Sequence, residues 1–370
     1  IKSAASDVPR IDFSDSTKGA LLLEPQSTNL ITYSEDFSNS YWTKTGAIAT
    51  GNNVLSPDGD VSATFLNEGV ANSRHGLWAS RSSVGINTFS AFVKAKDRGF
   101  VNVSMSDLTG TSYYQAVVDL STGVLTQQNI NGGATNTSYS IVYYGNGWWK
   151  VSVTADINLK YVTISMSETG LFTPAAFGYD SYQGNNKGIY IWGAMLEQQS
   201  FATSYIPSLF GSTTTRLADV CNNSGSAQDF NSESGVLYFE GSALADDVVD
   251  KRIFLSDGTM NNYVAIGYSR FAGNIIAEIV TEGVLQTVDW GATGVNKTNN
   301  NKFALSWGSG TMKFYVNGTQ TNTESVSSPS GLNVLEFNTA VDTLNMYAKV
   351  KDLQVFTEAK SDEFLAALTT

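Results

Sequence analysis

Several aromatic rings stand beside polar residues in predicted turns, and these side chains are the best suited to binding a ligand. Trp78 follows Arg74 and His75 in a polar stretch, while Tyr144 and Trp148 flank the turn at residues 145–147. An aromatic ring can stack on the apolar C–H face of a sugar, and neighbouring polar groups can hydrogen-bond the hydroxyls. These five residues therefore predict a surface that binds a glycan.

The order of residues around Trp148 predicts which rings point outward. Trp149 alternates with Val151 and Val153, which assigns Trp149 to the core and Trp148 to the opposite face. Tyr144 lies just before the same turn, so we expect Tyr144 and Trp148 to share one surface. The competing interpretation for each ring is a place in the core, because aromatic side chains contribute heavily to burial.

Two further candidates lie in the second half of the chain. Trp290 stands between Asp289 and Gly291 in a loop context and joins the glycan-binding candidates. Asp257 begins an oxygen-rich loop of the kind that can hold calcium. An ordinary Asp-Gly turn is the more economical explanation for Asp257, so a structural calcium stays an alternative and no other cofactor is predicted.

Groups that could support catalysis are scarce. His75 is the only histidine and Cys221 the only cysteine, so neither a His/Cys zinc site nor an intrachain disulfide is predicted. Aspartates and glutamates are scattered, and no pair of them can be assigned to acid–base work from the sequence. We therefore predict that the protein is not an enzyme.

Charge and polarity narrow the class of partner. The 370 residues carry a formal net charge of −12, and 15% of them are charged while 12% are aromatic. Binding to phosphate relies on Lys and Arg, so this composition argues against a nucleic-acid partner and favours a neutral polar ligand. No apolar run approaches the roughly 20 residues of a membrane helix, so membrane insertion is not predicted. The first residues include neither a Met nor the apolar core of a signal peptide, so we expect a piece of a longer protein.

Period-two alternation of apolar and polar residues recurs along the chain, with turn residues between the runs. This pattern predicts an all-β protein with two antiparallel β-sandwiches and one short helix near residues 361–368. Ser361 is the expected N-cap of this helix, and Phe364, Leu365 and Leu368 are expected to face inward. The predicted segments are an N-terminal extended segment at 1–28, a sandwich at 29–208, a linker at 209–215 and a second sandwich at 216–370.

The first sandwich resembles modules that recur in bacteriophage tail-fibre, tail-spike and prophage proteins and that are similar to jelly-roll carbohydrate-binding modules. The motifs that carry the resemblance span residues 9–208: Pro9–Phe13, Leu21–Leu30, Tyr33–Phe37 with Tyr41-Trp42, Gly145–Trp149, and Ile191–Glu197 with Tyr205–Pro207. Residues 216–370 are similar to concanavalin A-like (laminin G-like) lectin domains, through Tyr238–Glu240, Lys302–Trp307, Phe314–Gly318 and Lys351–Phe356.

Both resemblances imply binding of polymeric sugars at a virion or extracellular surface. The sequence departs from these families in two places. Trp192-Gly193 stands where carbohydrate-binding jelly rolls often place an acidic pair that helps hold calcium. The Glu-x-Asp-x-x-Glu strand of concanavalin A-like glycosidases is missing, which argues against hydrolysis.

The favoured function is host recognition by a non-catalytic, glycan-binding part of a phage tail fibre or similar virion surface protein. Its expected partner is a bacterial surface polysaccharide or another glycan, and the expected assembly is a homotrimer. A structural spacer or assembly module of a virion or adhesin, without a ligand, is the second hypothesis. A polysaccharide depolymerase is the third.

Overall fold

The computed structural model describes residues 8–171, 181–271, 273–289, 294–338 and 344–370. Within these ranges almost all regular structure is antiparallel β-strand, and a single α-helix lies at the C-terminal end. The prediction of an all-β protein built from two antiparallel sandwiches is confirmed. No helix among the described residues is long and apolar enough to cross a membrane.

The strands are numbered in chain order. They are β1 (Ile11–Asp12), β2 (Ala20–Leu22), β3 (Ser27–Asn29), β4 (Thr43–Thr45), β5 (Ala47–Leu55), β6 (Val61–Glu68), β7 (Asn72–Ser73), β8 (Gly76–Ser83), β9 (Ile86–Ala95), β10 (Phe100–Ser106), β11 (Tyr113–Asp119), β12 (Val124–Asn131), β13 (Thr135–Tyr143), β14 (Trp148–Asp156), β15 (Leu159–Ser167), β16 (Tyr182–Gln183), β17 (Gly188–Glu197), β18 (Thr214–Arg216), β19 (Gly235–Ala243), β20 (Lys251–Ser256), β21 (Tyr263–Tyr268), β22 (Ile275–Thr281), β23 (Val284–Asp289), β24 (Asn301–Gly308), β25 (Thr311–Val316), β26 (Thr319–Ser325), β27 (Val334–Glu336) and β28 (Ala348–Phe356). The helix α1 spans Asp362–Thr369.

The first sandwich is built within Gln26–Leu217 from two six-stranded sheets. One sheet has the order β12-β11-β10-β15-β8-β4, and the other has the order β13-β14-β9-β17-β6-β5. Alternate residues of both sheets meet in the core, which includes Val103, Ile164 and Val153. This arrangement follows from the period-two pattern, because successive side chains of a strand point to opposite faces.

Two segments without long strands complete the first sandwich. Ile31, Phe37 and Trp42 precede β4 and are buried in the main core. Tyr205 and Ile206 follow β17 and pack on the outer face of the β9-containing sheet, where they form a second, smaller core. One sheet of this sandwich is therefore covered on both faces, as the apolar residues on both sides of β17 predict: Ile191 and Leu196 lie in the main core, and Trp192 and Met195 lie in the smaller one.

The second sandwich pairs a seven-stranded sheet, β1-β2-β28-β19-β24-β25-β26, with a five-stranded sheet, β23-β22-β21-β20-β27. Ser361 caps α1 as predicted, because its hydroxyl accepts a hydrogen bond from the Phe364 amide. Leu365 is fully buried against the seven-stranded sheet, Leu368 is partly buried, and Phe364, which we expected to face inward, is 40% exposed.

The N-terminal segment belongs to the second sandwich. The hairpin β1-β2 pairs with β28, and Leu23 is buried in the core of the second sandwich. Arg10 holds this hairpin in place, since its guanidinium pairs with Glu24 at 2.7 Å and also with Asp219. The structure thus differs from the separate segment expected at 1–28, because the strand edge that receives the hairpin lies more than 300 residues away in sequence.

The expected linker also carries structure. Thr214–Arg216 forms β18, which pairs antiparallel with β3. The two ends of the first sandwich therefore lie side by side, and its residues are inserted between the N-terminal hairpin and the remainder of the second sandwich.

Truncating Leu23 tests the placement of the hairpin. Leu23 is 5% exposed, and its backbone exchanges two hydrogen bonds with Ala348. We expect Leu23→Ala to lower the free energy of unfolding by about 3 kcal/mol, because deleting a buried leucine leaves a cavity. Urea unfolding measures this loss. Val8→Ala, at a residue that is 54% exposed, is the control and should change stability by less than about 0.5 kcal/mol. Equal effects of the two substitutions would contradict the placement.

Candidate functional site

Trp78 and Tyr161 form an aromatic pair on the outer face of the β8-containing sheet. Their ring centroids lie 5.2 Å apart and the planes are nearly perpendicular, at 85°. Trp78 is paired with Thr163 across the β8–β15 ladder, so Tyr161 is its diagonal neighbour on the same face. Both rings are half-buried. The pair therefore presents aromatic surface to solvent from a rigid sheet.

Exposed hydroxyl groups flank this pair. Thr43 lies opposite Trp78 on β4, and Ser80 lies opposite Tyr161 on β8. Both Thr43 and Ser80 are exposed. The open part of this face therefore combines two aromatic rings with two hydroxyl groups that can each donate and accept hydrogen bonds.

A row of polar residues continues from Trp78 across the sheet. Register places Thr163, Ser104 and Gln115 side by side on successive strands, all on the face that carries Trp78. These three side chains are at most 3% exposed. The accessible part of the face is therefore its β8 and β4 end, where Trp78 and Thr43 lie.

Trp148 is placed differently from the sequence prediction. It points away from the main core, as alternation requires, but it is only 2% exposed because Tyr205 and Ile206 close over the same face. Its indole nitrogen donates to the Leu55 carbonyl at 3.0 Å. The prediction that Trp148 is an outward sugar platform is wrong. Trp149, predicted to be core, is half-buried at the edge of the main core.

Tyr144 is accessible but lies on the other sheet. It is 42% exposed, and its ring packs edge-on against Phe92 at 4.9 Å. Phe92 belongs to the small core that also contains Trp148, so Tyr144 and Trp148 do share one side of the sandwich. Trp78 lies on the outer face of the opposite sheet. The three predicted rings therefore do not form one site.

His75 is fully buried, which contradicts its assignment to a glycan contact. Its Nδ1 lies 2.6 Å from the Gly46 carbonyl oxygen and its Nε2 lies 3.0 Å from the Tyr182 carbonyl oxygen. Both ring nitrogens are therefore engaged with the backbone. Burial arises because the short β7–β16 pair folds over this stretch, a contact between residues more than 100 positions apart. Arg74, the neighbouring candidate, is half-buried.

The remaining predicted positions lie in the second sandwich. Trp290 is outside the described residues. Asp257 closes a turn, since its carboxylate accepts hydrogen bonds from the Thr259 amide and hydroxyl and from the Asn262 side chain. Partial burial would raise the pKa of Asp257, but these bonds lower it below its usual value. The Asp257 carboxylate is thus surrounded by N–H and O–H donors from Thr259 and Asn262, whereas a calcium ion would need several oxygen ligands around it. Asp257 therefore does not fit a calcium site. Among the described residues no group of three acidic, His or Cys side chains is arranged to hold a metal.

Tyr161 was not among the candidates from the sequence. Val162, Ile164 and Met166 face the main core, so alternation alone places Tyr161, Thr163 and Ser165 on the outer face. The signal was present in the sequence, but the contact with Trp78 depends on a strand pairing that spans more than 80 residues.

Comparison with known proteins gives only weak likenesses. No protein-family model and no curated protein matches the sequence. Three solved structures illustrate the structural likenesses. The carbohydrate-binding module CBM40 of the Ruminococcus gnavus IT-sialidase, bound to α2,3-sialyllactose, has a TM-score of 0.34 and 18% identity over 40% of this chain and 94% of that chain. A SAP-like pentraxin from Limulus polyphemus has a TM-score of 0.32 and 9% identity over 40% and 74%. Domains LG4-5 of the mouse laminin α1 chain have a TM-score of 0.27 and 9% identity over 76% and 86%. At these values the likenesses carry no argument about the ligand.

Proposed function

We propose that the protein binds a glycan without catalysis, through Trp78 and Tyr161 on the first sandwich. The observation that carries this proposal is the near-perpendicular pair of half-buried rings on a rigid sheet, flanked by the exposed hydroxyls of Thr43 and Ser80. A pyranose has an apolar face for the rings and hydroxyl groups for Thr43 and Ser80, so it fits this combination of groups.

A preformed sheet supports this function energetically. Weak sugar contacts are easily outweighed by the entropy of ordering the groups that make them. Trp78 lies between Thr43 and Thr163 in the ladder, so backbone pairing on both sides positions its ring before any ligand arrives. Little conformational entropy is then lost on binding.

We further propose that the ligand is a bacterial surface polysaccharide and that the protein acts in host recognition at a virion or extracellular surface, as a homo-oligomer. The motif resemblance to tail-fibre modules supports this wider proposal. The low share of charged residues, 15%, supports a neutral or weakly charged polysaccharide over a strongly anionic one.

Substitution of Trp78 tests the glycan site. We expect Trp78→Ala and Tyr161→Ala each to weaken binding to a polysaccharide by about 5-fold to 30-fold, which corresponds to about 1–2 kcal/mol for a lost stacking contact. Affinity electrophoresis in gels containing capsular or lipopolysaccharide preparations measures the change, after a glycan array has identified a ligand.

Tyr144→Ala is the matched control, because it removes an exposed aromatic ring from the opposite sheet. Its affinity should stay within about twofold of the parent protein. Equal losses in Tyr144→Ala and Trp78→Ala would refute the placement of the site. Absence of binding to every glycan tested would favour the spacer function instead.

A further inference from the structure

The two strands along one side of the first sandwich, β12 and β13, carry no charged residue. Residues 120–149 contain no Asp, Glu, Lys, Arg or His, although the chain as a whole has a net charge of −12. This stretch includes the whole of β12 and β13. In the structure β12 ends one sheet and β13 ends the other, and the two strands are consecutive in the chain.

Core-facing residues of these two strands remain exposed. Ile130 lies opposite the buried Tyr114, and Tyr139 lies opposite the buried Val153, so both point toward the interior. Even so, Ile130 is 49% exposed and Tyr139 is 45% exposed. Tyr143, which packs on Trp149 with centroids 4.8 Å apart, is 54% exposed. The sandwich is therefore open along this side.

The opposite side of the same sandwich is closed. There β4 and β5 end the two sheets, and Ile31, Phe37 and Trp42 fill the core before β4. The β4 strand is only three residues long and contains Lys44, and β5 has two irregularities in its register. Short length, a lysine and bulges are devices that keep an edge strand from pairing with another chain.

β13 has few of these devices. Among the described strands it pairs only with β14, so its other edge presents backbone N–H and C=O groups. It has nine residues with neither charge nor proline, and its register is regular from Ser138 to Tyr143. An exposed edge of this kind is a template for strand addition.

We propose that the open side formed by β12 and β13 is the surface through which two copies of this chain associate, with β13 of one copy pairing against the same strand of the other. Two copies that each carry a net charge of −12 repel, so the contact between them is most favourable where neither presents charge. Two identical strands related by a two-fold axis pair antiparallel and satisfy both edges at once. The exposed rings of Tyr139 and Tyr143 supply apolar surface to bury.

Lysines placed on β13 test this surface without removing any core contact. Ser138 and Ser140 are exposed, and they face away from the core because their neighbours Tyr139 and Ile141 face it.

We expect the full chain to associate with rising concentration between about 1 µM and 100 µM. The double variant Ser138→Lys/Ser140→Lys should raise the dissociation constant by about tenfold or more, because like charges placed opposite each other oppose pairing. Sedimentation velocity measures the association of the parent protein and of the double variant. Reducing conditions keep Cys221 from linking two copies through a disulfide.

Matched lysines on another edge strand provide the control. Thr323→Lys/Ser325→Lys adds the same charge to two exposed positions on the outer face of β26, an edge of the seven-stranded sheet, and should leave association unchanged. A parent protein that stays monomeric up to about 100 µM would overturn the proposal. So would association that the β13 lysines do not weaken, or that the β26 lysines weaken equally.

Lower glycan affinity in the β13 variant of a monomeric protein would assign this edge to a glycan instead. Trp78→Ala should not alter association, which separates this test from that of the glycan site.

Discussion

Arg98→Ala is expected to destabilise the first sandwich by about 3–5 kcal/mol, because it leaves a buried carboxylate without its cation. Arg98 donates from Nε and Nη2 to the two oxygens of Glu68, each at 2.8 Å. Glu68 is fully buried and also accepts hydrogen bonds from the Tyr182 hydroxyl and the Asn185 amide. All four bonds hold one carboxylate that joins β6 to the loops around residues 98 and 182–185.

The same carboxylate gives this loss of stability a pH dependence. Burial alone would raise the pKa of Glu68, but the hydrogen bonds from Arg98, Tyr182 and Asn185 together lower it below its usual value. A lowered folded-state pKa stabilises the protein above the unfolded pKa of about 4.3, and the stabilisation disappears as the pH falls through the folded value. In Arg98→Ala the Glu68 carboxylate stays buried without its cation. Protonation of Glu68 at low pH removes this unpaired negative charge. The difference between the parent protein and Arg98→Ala should therefore be largest near pH 7 and shrink in acid.

Urea unfolding at a series of pH values measures this difference. Lys96→Ala is the control, because the Lys96–Asp97 ion pair is exposed and should be worth at most about 1 kcal/mol. A pH-independent loss in Arg98→Ala would contradict the electrostatic explanation and indicate lost packing instead.

Trp148→Ala is the second substitution with a large expected effect, a loss of about 3–5 kcal/mol in the free energy of unfolding. The indole is buried among Phe92, Trp192 and Tyr205, and its N–H bonds the Leu55 carbonyl. Removing it leaves a cavity beneath the segment that covers this sheet and leaves a carbonyl without its donor.

Thermal or urea unfolding of Trp148→Ala should be compared with that of Tyr144→Ala, which should lose no more than about 1 kcal/mol because Tyr144 is 42% exposed. Trp148→Phe keeps most of the apolar contact and should fall between the two. A stable Trp148→Ala protein with impaired glycan binding would show that Trp148 faces a ligand after all.

The strands and their faces were predictable from local pattern. The alternation of Trp148, Trp149 and Val151 correctly places Trp148 on the face opposite the main core. This prediction succeeds because the direction of a side chain in a strand depends only on its position in a two-residue repeat. For the same reason the sequence could have placed Tyr161 and Thr163 together on the outer face.

The distant segments that bury particular side chains were not predictable in this way. Trp148 and His75 are buried by segments more than 50 residues distant, and Leu23 enters a sheet whose receiving strand begins at Ala348. Such contacts depend on which sheet edges and faces remain available after the rest of the chain has packed, and no local repeat encodes that choice.

The amino-acid sequence by itself determined an all-β chain, its turns and the capped helix at Ser361, and it predicted a glycan-binding surface of aromatic and neutral polar groups that stays a prediction. Only the tertiary structure decided that Trp78 meets Tyr161, that Trp148 lies in a second core and that the N-terminal hairpin completes the second sandwich. The physical reason is that strand direction is a local property of the backbone, whereas strand pairing and burial depend on residues far apart in the chain.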